Sequence, residues 1–224
     1  VTSKKQIAEL LDTLVARHHD LVRYGPFVVL RPLRHIIRSV SIDRTRVSDL
    51  PDLFFSIGYT CDPGATVQGF WLEGFSTGQD QPRYWSQPNF KDAFLQVVEE
   101  RILPMLRSIE SFDALLSFDQ NREFGYRETV NSPLHKVQLA SAMGRFDDAL
   151  ETARWMALHP RKSRYWSEGS YALIVDHLAP LLEARDETGI AAMLHDWEMK
   201  TIQKIGVLPI FEQVPFPFEL SRSR

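Results

Sequence analysis

The chain has a single cysteine, Cys61. One thiol closes no internal disulfide and completes no multi-cysteine zinc site, so a reducing, cytoplasmic setting is expected. No apolar run approaches the ~20 residues that cross a bilayer. The start, Val1-Thr2-Ser3-Lys4-Lys5, leads into an amphipathic stretch and not into the apolar core of a secretion signal. Basic charge is not in excess either: the net charge is −3, which argues against a general nucleic-acid surface. The seven histidines form no H-E-x-x-H or H-x-H pattern. His18 and His19 are adjacent, and on a helix they diverge by ~100°. Neither a metal nor a cofactor is expected.

What remains is an ordinary globular composition, 44% hydrophobic and 25% charged over 224 residues. A chain of this length buries roughly 70% of its unfolded surface, so its core needs no cross-link.

The apolar period divides the chain. Over 3–23, Ile7, Leu10, Leu11, Leu14, Val15, Leu21 and Val22 recur at helical spacing. Ser3 followed by Gln6 reads as a capping box, and Tyr24-Gly25-Pro26 as a stop. From Phe27 the period shortens to two. Leu53, Phe55, Ile57, Tyr59 and Cys61 alternate along the clearest strand, and 67–75 holds another. Successive strands without intervening helices predict an antiparallel meander.

After Pro88 the helical period returns, with Pro104 expected to kink or divide the first helix. A helix from about Ser111 precedes a polar linker at 119–131. Ser132-Pro133 caps a further helix, Gly144 ends it, and helices follow at 146–158, 168–185 and 187–205, the last closed by Gly206. The fold class is therefore α+β: an antiparallel sheet of about four strands with flanking helices, then a C-terminal helical bundle. The expected units are an α+β domain at 1–120, a helical subdomain at 132–206 and an extended tail at 207–224. The aromatics Phe211, Phe216 and Phe218 in that tail want a surface, so it is expected to pack back across the body.

Two resemblances follow from these residues. Ala140, then Gly144-Arg145-Phe146-Asp147-Asp148-Ala149-Leu150, then Met156-Ala157-Leu158 and Pro160 resemble one hairpin of the tetratricopeptide type within 134–160. No second copy stands at the ~34-residue period, so a peptide-gripping array is not implied. Residues 3–118 resemble the bacterial domain of unknown function 4304 family in the order of their parts. These are a helix ending near Gly25, strands around Ile36–Ser41 and Phe54–Gly58, Trp85 before Pro88 and Phe90, then Leu103-Pro104-Met105-Leu106 and Phe112-Asp113-Ala114-Leu115-Leu116. That resemblance implies an α+β fold and no catalytic residues. Small acidic proteins of this general build are frequent among neutralisers of bacterial toxins.

The arginines carry the leading functional reading. Arg34, Arg38 and Arg44 share one parity with Ile36, Val40 and Ile42, which lines them up on one sheet face. Guanidinium forks suit carboxylates on another protein; a charged edge strand guarded against aggregation carries the same pattern. Trp71 and Trp85 are the aromatic partners of such a surface. The expected function is non-enzymatic binding of another protein with an acidic surface, in a toxin-neutralising (immunity) or regulatory role, without nucleic acid or membrane.

The alternative is a serine hydrolase. Gly74-Phe75-Ser76-Thr77-Gly78 spells a nucleophile elbow, with Asp176-His177 and His195-Asp196 downstream. An elbow needs a helix straight after the serine, and Gln79-Asp80-Gln81-Pro82 opposes one. A metabolite sensor with its pocket between sheet and helices is a third reading. His177, among Leu173, Leu178 and Leu181, is expected to be buried and hydrogen-bonded. Arg161, Lys162, Arg164, Tyr165 and Trp166 interleave charge with aromatics, in the manner of an ordinary interhelical loop or of a nucleic-acid or membrane-surface contact.

Overall fold

Ser3 opens the first helix as its spacing to Gln6 requires. Its hydroxyl accepts from the Gln6 amide at 3.2 Å, and its own amide donates to Gln6 Oε1 at 2.9 Å. That helix, α1 (Lys4–Arg17), ends well before residue 23. The structure, a computed structural model, describes residues 3–47, 49–64, 67, 71–78, 81–121, 132–159 and 168–221.

Leu21 and Val22, read above as the end of the helical stripe, belong to a strand. Gly25, at φ +60°, allows a two-residue turn with Pro26 that folds β1 (Leu21–Tyr24) onto β2 (Phe27–Leu30). Then come β3 (Ile36–Arg44), β4 (Pro51–Tyr59) and β5 (Trp71–Phe75). The five strands pair in chain order, all antiparallel. The meander is as expected, with one strand more.

Helix α2 (Phe90–Val97) passes through a π-helical segment (Val98–Ile102) into α3 (Leu103–Ser108). The same sequence recurs in α7 (Glu168–Ala172), a π-helical segment (Leu173–Leu178) and α8 (Ala179–Glu183). Each wide segment comes just before a proline, Pro104 or Pro180. A proline lacks the amide proton and crowds the carbonyl four residues back, and a widened turn relieves both. The helix expected to be kinked or divided at Pro104 is thus divided into α2 and α3 by the widened segment. The others are α4 (Phe112–Asn121), α5 (Pro133–Ala142), α6 (Phe146–Leu158), α9 (Glu187–Ile205) and α10 (Pro217–Ser221).

One sheet face carries Ile36, Val40, Ile42, Phe55 and Ile57 into a cluster of buried side chains. That cluster also holds Leu10 of α1, Phe94 of α2, Ala149 of α6 and Leu194 of α9. The two units expected from sequence thus share one core. The opposite face is sparer. There the buried Ser39 and Ser56 hydroxyls share a hydrogen bond at 2.6 Å, and the one whose proton is left free donates to the Val67 carbonyl.

The tail does pack back. The Leu33 amide donates to the Ile210 carbonyl at 3.1 Å, and the Glu212 amide returns to the Leu33 carbonyl at 2.8 Å. It is not extended throughout: Pro217 opens α10. Phe216 is fully buried, and Phe218 sits edge-on to Phe146 with ring centroids 5.2 Å apart.

Candidate functional site

The deepest carboxylate in the described chain is Glu198 of α9, with no exposed surface. A carboxylate out of water must be met by donors. His35, just before β3, lies with Nδ1 2.8 Å from its Oε1, and Thr60 donates to the same oxygen. His195, one turn back on α9, lies with Nδ1 2.9 Å from Oε2. Burial opposes ionisation of Glu198, but the bonds from His195, His35 and Thr60 outweigh it and hold the carboxyl below its ordinary range. The His195 imidazole is raised by its bond to Glu198, against its own burial, and further by Glu219. Phe216 roofs this network, 4.4 Å from the His35 ring and 4.7 Å from that of His195.

A second buried cluster lies at the end of β4. The Tyr59 hydroxyl donates to Gln138 Oε1 at 2.5 Å and lies 2.5 Å from His135 Nδ1. Burial raises the Tyr59 phenol and the Cys61 thiol, and lowers the His135 imidazole. Cys61 is fully buried, as its place on the apolar strand face predicts. These groups bond to each other and face inward. Among the described residues, no group of three His, Cys, Asp or Glu side chains could hold a metal ion.

Ser76 stands on no elbow. It is exposed, just past β5 at the sheet edge, and no helix begins among the described residues before Phe90. No described hydrogen bond joins it to a histidine. His35 and His195 are engaged by Glu198, His135 by Tyr59, His18 by Glu99 and His159 by the Trp155 carbonyl. His177 is exposed, not buried as expected; it lies in the π-helical segment, whose buried side chains are Ile174 and Leu178.

The three arginines do not form one surface. Arg34, ahead of β3, pairs with Glu212 of the tail at 3.1 Å. Arg38 is 5% exposed and points into the packed face, where Nη1 reaches the Leu106 carbonyl at 3.4 Å and Glu110 at 3.8 Å. Its Nε is buried without a hydrogen-bond partner, and burial lowers its pKa. Arg38 follows the parity of Ile36, Val40 and Ile42, but the face they mark is covered by helices. Trp85 is likewise core: 7% exposed, its ring centroid 5.2 Å from that of Phe90. The Trp71 backbone pairs with Ile57, and its side chain lies outside the described residues, as do 160–167 with the arginine–aromatic stretch.

Arg44 is exposed at the far end of β3. There a cleft of about 530 Å³ opens between α1 and the β1–β2 turn. Ile7, Ala8, Pro26 and Ile42 give it apolar walls, and Lys4, Arg23, Asp43 and Arg44 bring charge to it. Arg23 is spent on Asp12, at 2.5 Å, and on the Gly25 carbonyl. Lys4 and Arg44 make no ion pair with any described residue. Lys4 escapes a reading of sequence because it looks like any solvated lysine; only the approach of α1 to the hairpin sets it near Arg44.

No family model, curated protein or solved structure matches this chain.

Proposed function

We propose that this chain is a non-catalytic protein-binding module that docks the Arg44 end of its sheet onto an acidic surface of another protein. One observation carries the reading: Arg44 and Lys4 stand at one cleft without ion-pair partners among the described residues, while His35, His135 and His195 are spent on internal bonds. Occlusion of the partner's surface is the mechanism, and it needs no chemistry from this chain. Within that class we assign a toxin-neutralising or regulatory role in a bacterial cytoplasm. That assignment rests on the resemblance of 3–118 to the domain of unknown function 4304 family and on the general build of toxin neutralisers. The lone buried Cys61 suits a reducing compartment, and the net charge of −3 suits a partner other than nucleic acid.

The test is purification of the tagged chain from its native host, wild type beside the Lys4→Glu/Arg44→Glu variant. Wild type is expected to elute as a stoichiometric complex with one protein, and the variant to elute alone with its melting temperature unchanged. Wild type that elutes alone from its host overturns the reading.

A further inference from the structure

We infer that the cleft between α1 and the β1–β2 turn is an anchor pocket for a partner segment carrying an acidic side chain beside an apolar one. The inference rests on the protein-binding reading above and names the chemistry of the contact.

Three observations lead to it. The cleft has the volume of sites that enclose small organic groups, about 530 Å³. Its walls are apolar at Ile7, Ala8, Pro26 and Ile42, so an apolar side chain entering it leaves water for carbon. Its charged groups are unequal in availability. Arg23 is held by Asp12 and the Gly25 carbonyl, while Lys4 and Arg44 have no described ion-pair partner. A carboxylate near those two cations gains a fork from Arg44 and a point charge from Lys4.

Asp43 gives the pocket a sign test. It sits beside Arg44 and opposes Asp52 across the β3–β4 pair, so it is already in a repulsive position. An incoming carboxylate adds to that repulsion, whereas an incoming ammonium is attracted by it. Removing the Asp43 charge therefore strengthens binding of an acidic segment and weakens binding of a basic one.

The experiment is isothermal titration of the full chain with two capped peptides, Ac-Glu-Leu-Leu-Glu-NH2 and its amide twin Ac-Gln-Leu-Leu-Gln-NH2, at low salt. The acidic peptide is expected to bind at one site and the amide twin at least about fivefold more weakly. Lys4→Glu and Arg44→Glu should each weaken the acidic peptide by about fivefold, and Asp43→Asn should tighten it. Ala8→Phe, which fills the pocket, should abolish binding of both. Circular dichroism of each variant confirms that the fold is kept; Lys4 and Arg44 are exposed, so their replacement leaves the core untouched. No heat with millimolar acidic peptide, equal affinity for the twins, or weaker binding in Asp43→Asn overturns the pocket. A host-cell complex that survives Lys4→Glu/Arg44→Glu overturns both the pocket and docking at the Arg44 end, while leaving protein binding at another surface in place. If the host-cell complex is absent but the peptides are still discriminated, the protein-binding reading falls, and the inference about a partner segment falls with it.

Discussion

Glu219 of the last helix holds His195 of α9: its Oε2 lies 3.0 Å from His195 Nε2 and accepts the Phe216 amide at 2.7 Å. Since His195 Nδ1 faces Glu198, one imidazole ties the buried carboxylate to the end of the chain. Both ring nitrogens face acceptors, which favours the doubly protonated ring and agrees with its raised pKa. The tail is therefore a latch closed by charge and by the burial of Phe216. Glu219→Gln should weaken the latch and Phe216→Ala should open it, the latter at a cost of about 3–5 kcal/mol. Limited proteolysis checks this: cleavage after 207 should accelerate in both variants, and most in Phe216→Ala.

The network also fixes a dependence on pH. The His195 pKa is raised on folding, so its contribution is full below the unfolded value of about 6.5 and is lost as pH climbs through the folded value. The Glu198 pKa is lowered, so its contribution is present above about 4.5 and is lost as pH falls through the folded value. The two windows overlap between them. Urea midpoints at fixed pH should therefore show a smaller gap between wild type and Glu198→Gln at pH 9 than at pH 6.

Arg38 separates the buried reading from the docking reading. Arg38→Glu places a carboxylate in a packed face and should cost about 3 kcal/mol or more. Arg38→Met keeps the length, removes a charge whose Nε has no partner, and should stay within about 1 kcal/mol of wild type. Arg44→Glu should be nearly neutral, since Arg44 is exposed. Denaturant midpoints of the three variants decide the order.

Gly144 should not tolerate a side chain. It sits at φ +77°, and a Cβ there would lie 2.7 Å from the Phe218 Cβ. Gly144→Ala thus strains the α5–α6 turn and pushes the latch away, at a cost of about 1 kcal/mol or more. A lowered melting temperature with faster tail proteolysis is the expected pair of results.

These residues also show how far the sequence could be read. The meander, the helical second half, the caps at Ser3 and Gly206 and the return of the tail all follow from period and turn chemistry, which are local. The β1 strand was hidden because Leu21 and Val22 continue a helical stripe, and only pairing with β2 decides between the two periods. Arg38 shows the same limit at a site: alternation names its face and says nothing of which helix covers it. Glu198 lies in the charged run His195-Asp196-Trp197-Glu198-Met199-Lys200, and sequence alone offers it no partner beyond that run and Asp176-His177. Its i, i+3 spacing to His195 was the one local hint, and His35 and Thr60 reach it from far along the chain.

The central claim places partner contact at the Arg44 end of the sheet. Amide chemical-shift mapping of the labelled chain with Ac-Glu-Leu-Leu-Glu-NH2 tests it most directly. The account predicts perturbations confined to Lys4, Ile7, Ala8, Gly25, Ile42, Asp43 and Arg44, with the amides around His195 unmoved. Shifts centred on the Glu198 network, with the Arg44 end silent, would contradict it.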